Sequence, residues 1–359
     1  MHNQLRELYI KIEALDNSLG SVAQAHLDAL AKPGGSLGRL EELAVRLFCI
    51  TGGQAPLRVD PAVIFTVAGD HGVADEGVSI YPQEVTRQMV QNFLQGGAGI
   101  NVLCALNGID QFVVDAGCVG GPYKAHPKLH DVRLGDGTAN IATGPAMSLE
   151  LCGQALLAGA KLAEEAVDSG YKCIGIGEMG IANTTVSSAL YCAYLGLSPE
   201  ESVGQGAGSS ATSLERKLGA VRRALKANSA ALQTQDPLAV LAGLGGFEIA
   251  VMAGMVLGCA SRKTPLVVDG FIATAALLAA SRLCPASSGY CFLSHCSAEK
   301  GHAAVVRSLC MPRPMLDLDF RLGEGTGSAM AIPLLRAAAA IYNEMASFSS
   351  AAVSDRIHE

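Results

Sequence analysis

The chain has 359 residues, half of them apolar and 16% charged, with 41 glycines, no tryptophan and a formal net charge of −7. That length and apolar share suit one large core, and a negative balance without any run of Lys or Arg argues against nucleic acid as a partner. Eleven cysteines, an odd count with no CxxC pair, fit reduced thiols in a cytoplasmic protein better than a disulfide framework.

The first twenty residues mix charges into an amphipathic pattern with no apolar h-region, so no signal peptide is expected. Up to about Ile50 the pattern is helical, most clearly over 40–48. A different rhythm follows. Short β-branched runs at 62–68, 112–115, 173–176, 266–269 and 290–293 predict buried strands. Alanine- and leucine-rich segments at 147–169, 213–226, 271–283 and 328–345 predict helices. The most membrane-like stretch, 237–260, contains Glu248. A carboxylate in lipid costs a few kcal/mol or more, roughly, so a buried core helix is expected there. Strands alternating with helices predict an α/β fold, its sheet mainly parallel with helices on both faces. The ligand then lies beyond the carboxyl ends of the strands.

Several of those strand ends are glycine-rich. Gly175-Ile-Gly177-Glu178-Met-Gly180 nearly forms a GxGxxG turn between strand and helix. Gly204-Gln-Gly206-Ala207-Gly208, Gly243-Leu-Gly245-Gly246 and Gly323-Glu324-Gly325-Thr-Gly327 are similar clusters. Such turns let a phosphate approach the backbone N–H groups of a helix start, although close helix–strand packing also uses glycine. The P-loop GxxxxGK[ST] and the serine-hydrolase GxSxG are missing.

Glu324, between two glycines, is either a pocket carboxylate or a solvated turn residue. Glu178 is either a pocket acid or a helix-start acid held by the dipole. Asp70-His71 after the first strand reads as a hydrogen-bonding unit. Cys291, His295 and Cys296 match no zinc spacing, and no metal or cofactor is expected. Ser294-His-Cys-Ser297-Ala-Glu299 is a polar island suited to a nucleotide site. These features leave three readings open: a transferase, a nicotinamide-cofactor oxidoreductase with Glu200 or Glu201 as the ribose acid, and a non-catalytic nucleotide-binding module.

Seven motifs in fixed order narrow the choice. They are Lys32-Pro-Gly-Gly-Ser-Leu-Gly-Arg-Leu-Glu41, Gly69-Asp-His-Gly-Val73, Tyr81-Pro-Gln-Glu-Val85, Gly177-Glu-Met-Gly-Ile-Ala-Asn-Thr-Thr185, Val268-Asp-Gly-Phe271, Ser294-His-Cys-Ser-Ala-Glu-Lys-Gly301 and Arg321-Leu-Gly-Glu-Gly-Thr-Gly327. With them the chain resembles the nicotinate-nucleotide–dimethylbenzimidazole phosphoribosyltransferases, the CobT family, over nearly its whole length.

The resemblance implies transfer of phosphoribose from nicotinate mononucleotide to 5,6-dimethylbenzimidazole or a related base. The products are α-ribazole 5′-phosphate and nicotinate, the former for the lower ligand of cobalamin. It implies a homodimer and a Rossmann-like large domain, 61–325. A small helical domain would be built from the terminal segments 1–60 and 326–359. It implies that Glu324 is the catalytic base, and that Glu178 is a second pocket acid. Nucleotide and phosphate contacts fall by resemblance on Gly180, Gly206, Ala207, Gly208, Lys217, Asp269, Gly270 and Ser297. Tyr81, Met89 and Leu322 line the base pocket.

Overall fold

Residues 1–204 and 211–354 are described by a computed structural model. The apolar runs pair side by side, each with parallel neighbours. The strands are β1 (Ala62–Gly69), β2 (Asp110–Gly117), β3 (Leu129–Asp131), β4 (Cys173–Met179), β5 (Leu266–Val268) and β6 (Cys291–Leu293). Their order across the sheet is β3-β2-β1-β4-β5-β6, every pairing parallel. β1 and β5 are buried at every residue, as a sheet covered on both faces requires, so their sequences run apolar without alternation.

All five expected strands are present, and β1, β2 and β4 extend further than their apolar runs. β3 has no counterpart among the expected strands. It is a three-residue edge strand, Leu-His-Asp, only partly buried, and such a segment carries no periodicity to detect. Successive strands step outward from β1 to β3, then the chain returns to β4 on the other side of β1. The crevice at the carboxyl ends of β1 and β4 is therefore the topological switch point, where a ligand fits without obstruction by a crossover.

The apolar stretch 237–260 forms two helices rather than one. Asp236 caps the first, Pro237–Leu244, accepting from the Leu238 N–H at 3.0 Å. Gly245 and Gly246 then run extended before the second, Phe247–Ser261. That second helix is buried from Phe247 through Ala260 and crosses the helix Leu149–Asp168. The crossing is too close for side chains at its centre: a Cβ on Gly254 would lie 2.0 Å from the Leu156 carbonyl oxygen. Among the described residues no helix is long and apolar enough to cross a membrane.

The chain ends meet. Ala31 N–H donates to the Ala346 carbonyl at 2.8 Å, and Phe48 lies 5.6 Å from Tyr342, ring to ring. The helix Thr326–Glu344 joins these terminal segments to the sheet. Its far end carries Tyr342, while Ser328 in its first turn donates to the Val267 carbonyl at 3.1 Å.

Candidate active site

Glu324 sits in a backbone conformation that side chains seldom adopt. Gly323, Glu324 and Gly325 all have positive φ, at 84°, 65° and 99°. For a glutamate this costs roughly 1–3 kcal/mol, and such residues persist where their surroundings over-determine them. Here the Glu324 N–H donates to the Glu178 carbonyl at 3.1 Å, and its own carbonyl accepts from Thr66 Oγ1 at 2.8 Å. Asp269, at the end of β5, accepts from the N–H of Gly325 at 3.0 Å and of Gly327 at 2.7 Å. The turn is pressed against β4 so tightly that a Cβ on Gly177 would lie 2.0 Å from the Gly325 nitrogen.

The Glu324 side chain is 4% exposed and accepts one hydrogen bond, from the Ile100 N–H at 3.2 Å. Burial raises its pKa above the ordinary carboxylate value; the Ile100 amide opposes the rise and the charge of Asp269 adds to it. Glu178 is also buried and is pushed well above its ordinary value. Burial is the main cause, then Asp269 and Glu248, against the stabilising contact of the Asn183 amide. A Cβ on Gly323 would lie 2.3 Å from Glu178 Oε1, so the two acid-bearing turns lie against each other.

Beside these turns is a cavity of about 110 Å³, lined by Glu178, Gly180, Asn183, Gly270, Ser297 and Leu322 among others. Two helices begin at its wall, Asn183–Leu195 and Phe271–Leu283. The dipoles at these two starts favour a bound anion. Thr184, also on the wall, accepts from Lys217 Nζ at 3.3 Å. Burial lowers the Lys217 pKa, and Glu299 opposes that. The wall thus combines the buried Glu178 carboxylate, helix starts that favour an anion and, through Thr184, the Lys217 ammonium, with Glu324 directly after Gly323 and not on the wall itself.

A second ionisable group lies under the same sheet edge. His71 Nε2 is 2.9 Å from Glu248 Oε1, both side chains 0% exposed. Burial acts against the imidazolium, but Glu248, and more weakly Asp70, outweigh it and raise the His71 pKa. Glycines enclose this pair. A Cβ on Gly246 would lie 2.4 Å from His71 Cε1, and one on Gly69 would lie 2.9 Å from Glu248 Oε2. The Gly243–Gly246 cluster ends one helix and leads into the next, rather than following a strand. Its last glycine packs on His71, so close packing explains it.

Known proteins are similar to this chain nearly end to end. A family profile described as Phosphoribosyltransferase matches residues 12–353. The chain belongs to this phosphoribosyltransferase family. A nicotinate-nucleotide–dimethylbenzimidazole phosphoribosyltransferase of Nitratidesulfovibrio vulgaris is 58% identical over 355 residues, 99% of each chain. One from Chlorobaculum tepidum is 50% identical over 356 residues, again 99% of each. The crystal structure of CobT from Thermus thermophilus superposes with a TM-score of 0.88 at 43% identity, covering 94% of this chain and 100% of that one.

In this phosphoribosyltransferase, the residues expected at the site do not all stand in one place. Glu178, Gly180, Gly270, Ser297 and Leu322 line the cavity. Leu322 is 60% exposed, and its Cδ2 would be 3.3 Å from a Cβ on Gly99, where Glu324 Oε2 would be 3.5 Å away. Lys217 reaches the wall through Thr184. Asp269 directs both carboxylate oxygens to the Glu324 turn, so here it shapes the site from behind. Tyr81 is 47% exposed and stands outside the cavity wall, and Met89 is packed against the core. Gly206, Ala207 and Gly208 lie outside the described residues.

Sequence reasoning did not single out Asn183, which holds Glu178, or Arg321 on the wall. It also did not join His71 to Glu248. Asn183 and Arg321 lie inside quoted motifs, a usable signal. The ion pair spans 177 positions (248 − 71) and has no local signal.

Proposed function

We propose that this enzyme transfers phosphoribose from nicotinate mononucleotide to 5,6-dimethylbenzimidazole or a related base, giving α-ribazole 5′-phosphate and nicotinate for the cobalamin lower ligand. The observation that carries the reading is the Glu324 carboxylate. It is buried, raised in pKa and without a cationic partner among the described residues, and it directly follows Gly323, which lines the cavity at the carboxyl ends of β4, β5 and β6. The names of its 58%-identical relatives support the same substrates.

The chemistry asks for one base. The leaving nitrogen of nicotinate mononucleotide is already cationic and departs as a neutral pyridine, so it needs no general acid, unlike the leaving oxygen of a glycoside. One imidazole nitrogen of the acceptor attacks C1′ from the opposite face, turning a β-linkage into an α-linkage. The other nitrogen then loses its proton. Glu324 takes that proton, and a pKa nearer neutrality suits the task. The phosphate, held at helix starts near Gly180, Gly270 and Ser297 with Lys217 beside them, keeps C1′ in line. Glu178 is the second acid of the nucleotide pocket, while Tyr81, Met89 and Leu322 face the acceptor. Gly206, Ala207 and Gly208 complete the phosphate loop in this reading.

The eleven cysteines stand as free thiols, which supports a cytoplasmic setting. The outward Val102 and Leu106 of helix Gly99–Leu106, 62% and 75% exposed, give the proposed homodimer an apolar face. The deciding experiment is incubation with nicotinate mononucleotide and a panel of benzimidazoles, purines and phenols, with products followed by mass. The expected result is stoichiometric nicotinate and riboside phosphate from 5,6-dimethylbenzimidazole. Nucleotide binding without nicotinate release from any acceptor refutes the reading.

A further inference from the structure

His302 does not itself line the cavity, yet it bonds to the Ser297 turn directly and to the Gly270 turn through Thr274, the two turns proposed to hold the nucleotide. It is 3% exposed, at the start of helix His302–Ser308. Its Nδ1 accepts from the Ser297 N–H at 3.2 Å. Its Nε2 lies 3.2 Å from Thr274 Oγ1, and that hydroxyl donates to the Gly270 carbonyl at 2.7 Å. These contacts fix the tautomer. Nδ1 already accepts, and the Thr274 proton is already directed to Gly270, so Nε2 must carry the hydrogen and donate it to Thr274. The result is a one-way chain from the Ser297 amide, through the imidazole and the Thr274 hydroxyl, to the Gly270 carbonyl. Burial first, and then the nearby His295, depress the His302 pKa to about 4, so the neutral ring this chain requires is the form present near pH 7.

We propose that His302 is a positioning residue for nucleotide binding: in its neutral, Nε2-protonated form it locks the turn after β6, which carries Ser297, to the turn after β5, which carries Gly270. Ser297 and Gly270 come from different strands and share the cavity wall. Strand pairing and the Ser294 hydroxyl, which donates to the Asp269 carbonyl at 2.7 Å, already join the bases of the two turns; the imidazole adds the link further out, at Ser297 itself. In a chain of hydrogen bonds each member polarises the next, so removing the middle ring loosens both ends at once. The proposal rests on the assignment of this corner to the nucleotide.

The test compares His302→Ala, His302→Gln and Ser297→Ala in the full-length enzyme, with KM measured separately for nicotinate mononucleotide and for 5,6-dimethylbenzimidazole. His302→Ala is expected to raise the nucleotide KM about tenfold, the size of one hydrogen bond of about 1.4 kcal/mol, with the acceptor KM little changed. The Gln amide both accepts and donates, so His302→Gln is expected to recover most of that loss. Equal rises in both KM values, no rise in either, or Gln no better than Ala overturns the proposal. If His302→Ala does not fold, His302→Gln set against His302→Leu gives the same comparison. Ser297→Ala separates the two levels. An unchanged nucleotide KM there removes the nucleotide from this corner altogether. A raised KM there beside an unchanged one in His302→Ala overturns the positioning role alone.

Discussion

Two carboxylates under one sheet edge, Glu248 and Glu324, show what a partner decides. Both are almost completely buried, at 0% and 4% exposure; Glu324 directly follows Gly323, and Glu248 lies two positions after Gly246. Glu248 faces His71 at 2.9 Å inside a tight enclosure. It is neutralised where it stands, and its glycine neighbours leave room for the pair and for nothing else. Among the described residues Glu324 has one amide donor and no cation, and its ionised form is correspondingly disfavoured. A buried acid with a counter-charge is held as structure. One left without it stays ready to accept a proton.

The comparison can be broken most forcefully at the ion pair. Glu248→Ala removes the group that holds the proton on His71 and leaves a fully buried imidazole without its partner, and the expected cost is about 3–5 kcal/mol of stability, read by denaturant unfolding. Replacing both members by leucine should recover a large part of that. Loss of turnover with stability unchanged in Glu248→Ala would instead place the pair in the chemistry and erase the distinction.

The next effect is on turnover. Glu324→Gln is expected to keep nucleotide binding and lose roughly 10²-fold or more in kcat, the usual weight of a general base. The sign of the pH dependence follows from the raised pKa. The base works only when ionised, so wild-type kcat should fall as pH drops through a value above the ordinary carboxylate range. The residual activity of Glu324→Gln should lack that acid limb. The same limb in both enzymes assigns it to another group, with Glu178 the first candidate.

The smallest expected effect concerns Glu178. Its raised pKa means that the folded state holds its proton more tightly than the unfolded chain does. Stability contributed by this group is present below the unfolded pKa and is lost as pH rises through the folded one. Glu178→Gln should therefore melt higher than wild type at pH 8, and the gap should close as pH falls below the ordinary carboxylate value. A gap that widens on acidification would show that the ionised form is the one stabilised.

Much of this is legible in the sequence. The strands at 62–68 and 173–176 announce themselves because a sheet covered on both faces needs unbroken apolar runs. The helix Phe271–Leu283 lies where its alanine and leucine pattern predicts it. The turns at 177–180 and 323–327 stand out because the two loops press together with no room for side chains. β3 stays hidden because three edge residues carry no period. The break in the 237–260 stretch is hidden because its glycines read equally well as a ligand loop.

The sequence by itself determined the alternation of strand and helix, the family, and the residue types able to hold an anion and take a proton. These depend on local spacing and on motifs read in order. Tertiary structure alone decided which acid is paired and which is not, that Asp269 braces the Glu324 turn, and that His302 links Ser297 to Gly270. Pairing and desolvation depend on distances of a few ångströms between residues far apart in the chain. Those distances exist only once the strands have taken their places.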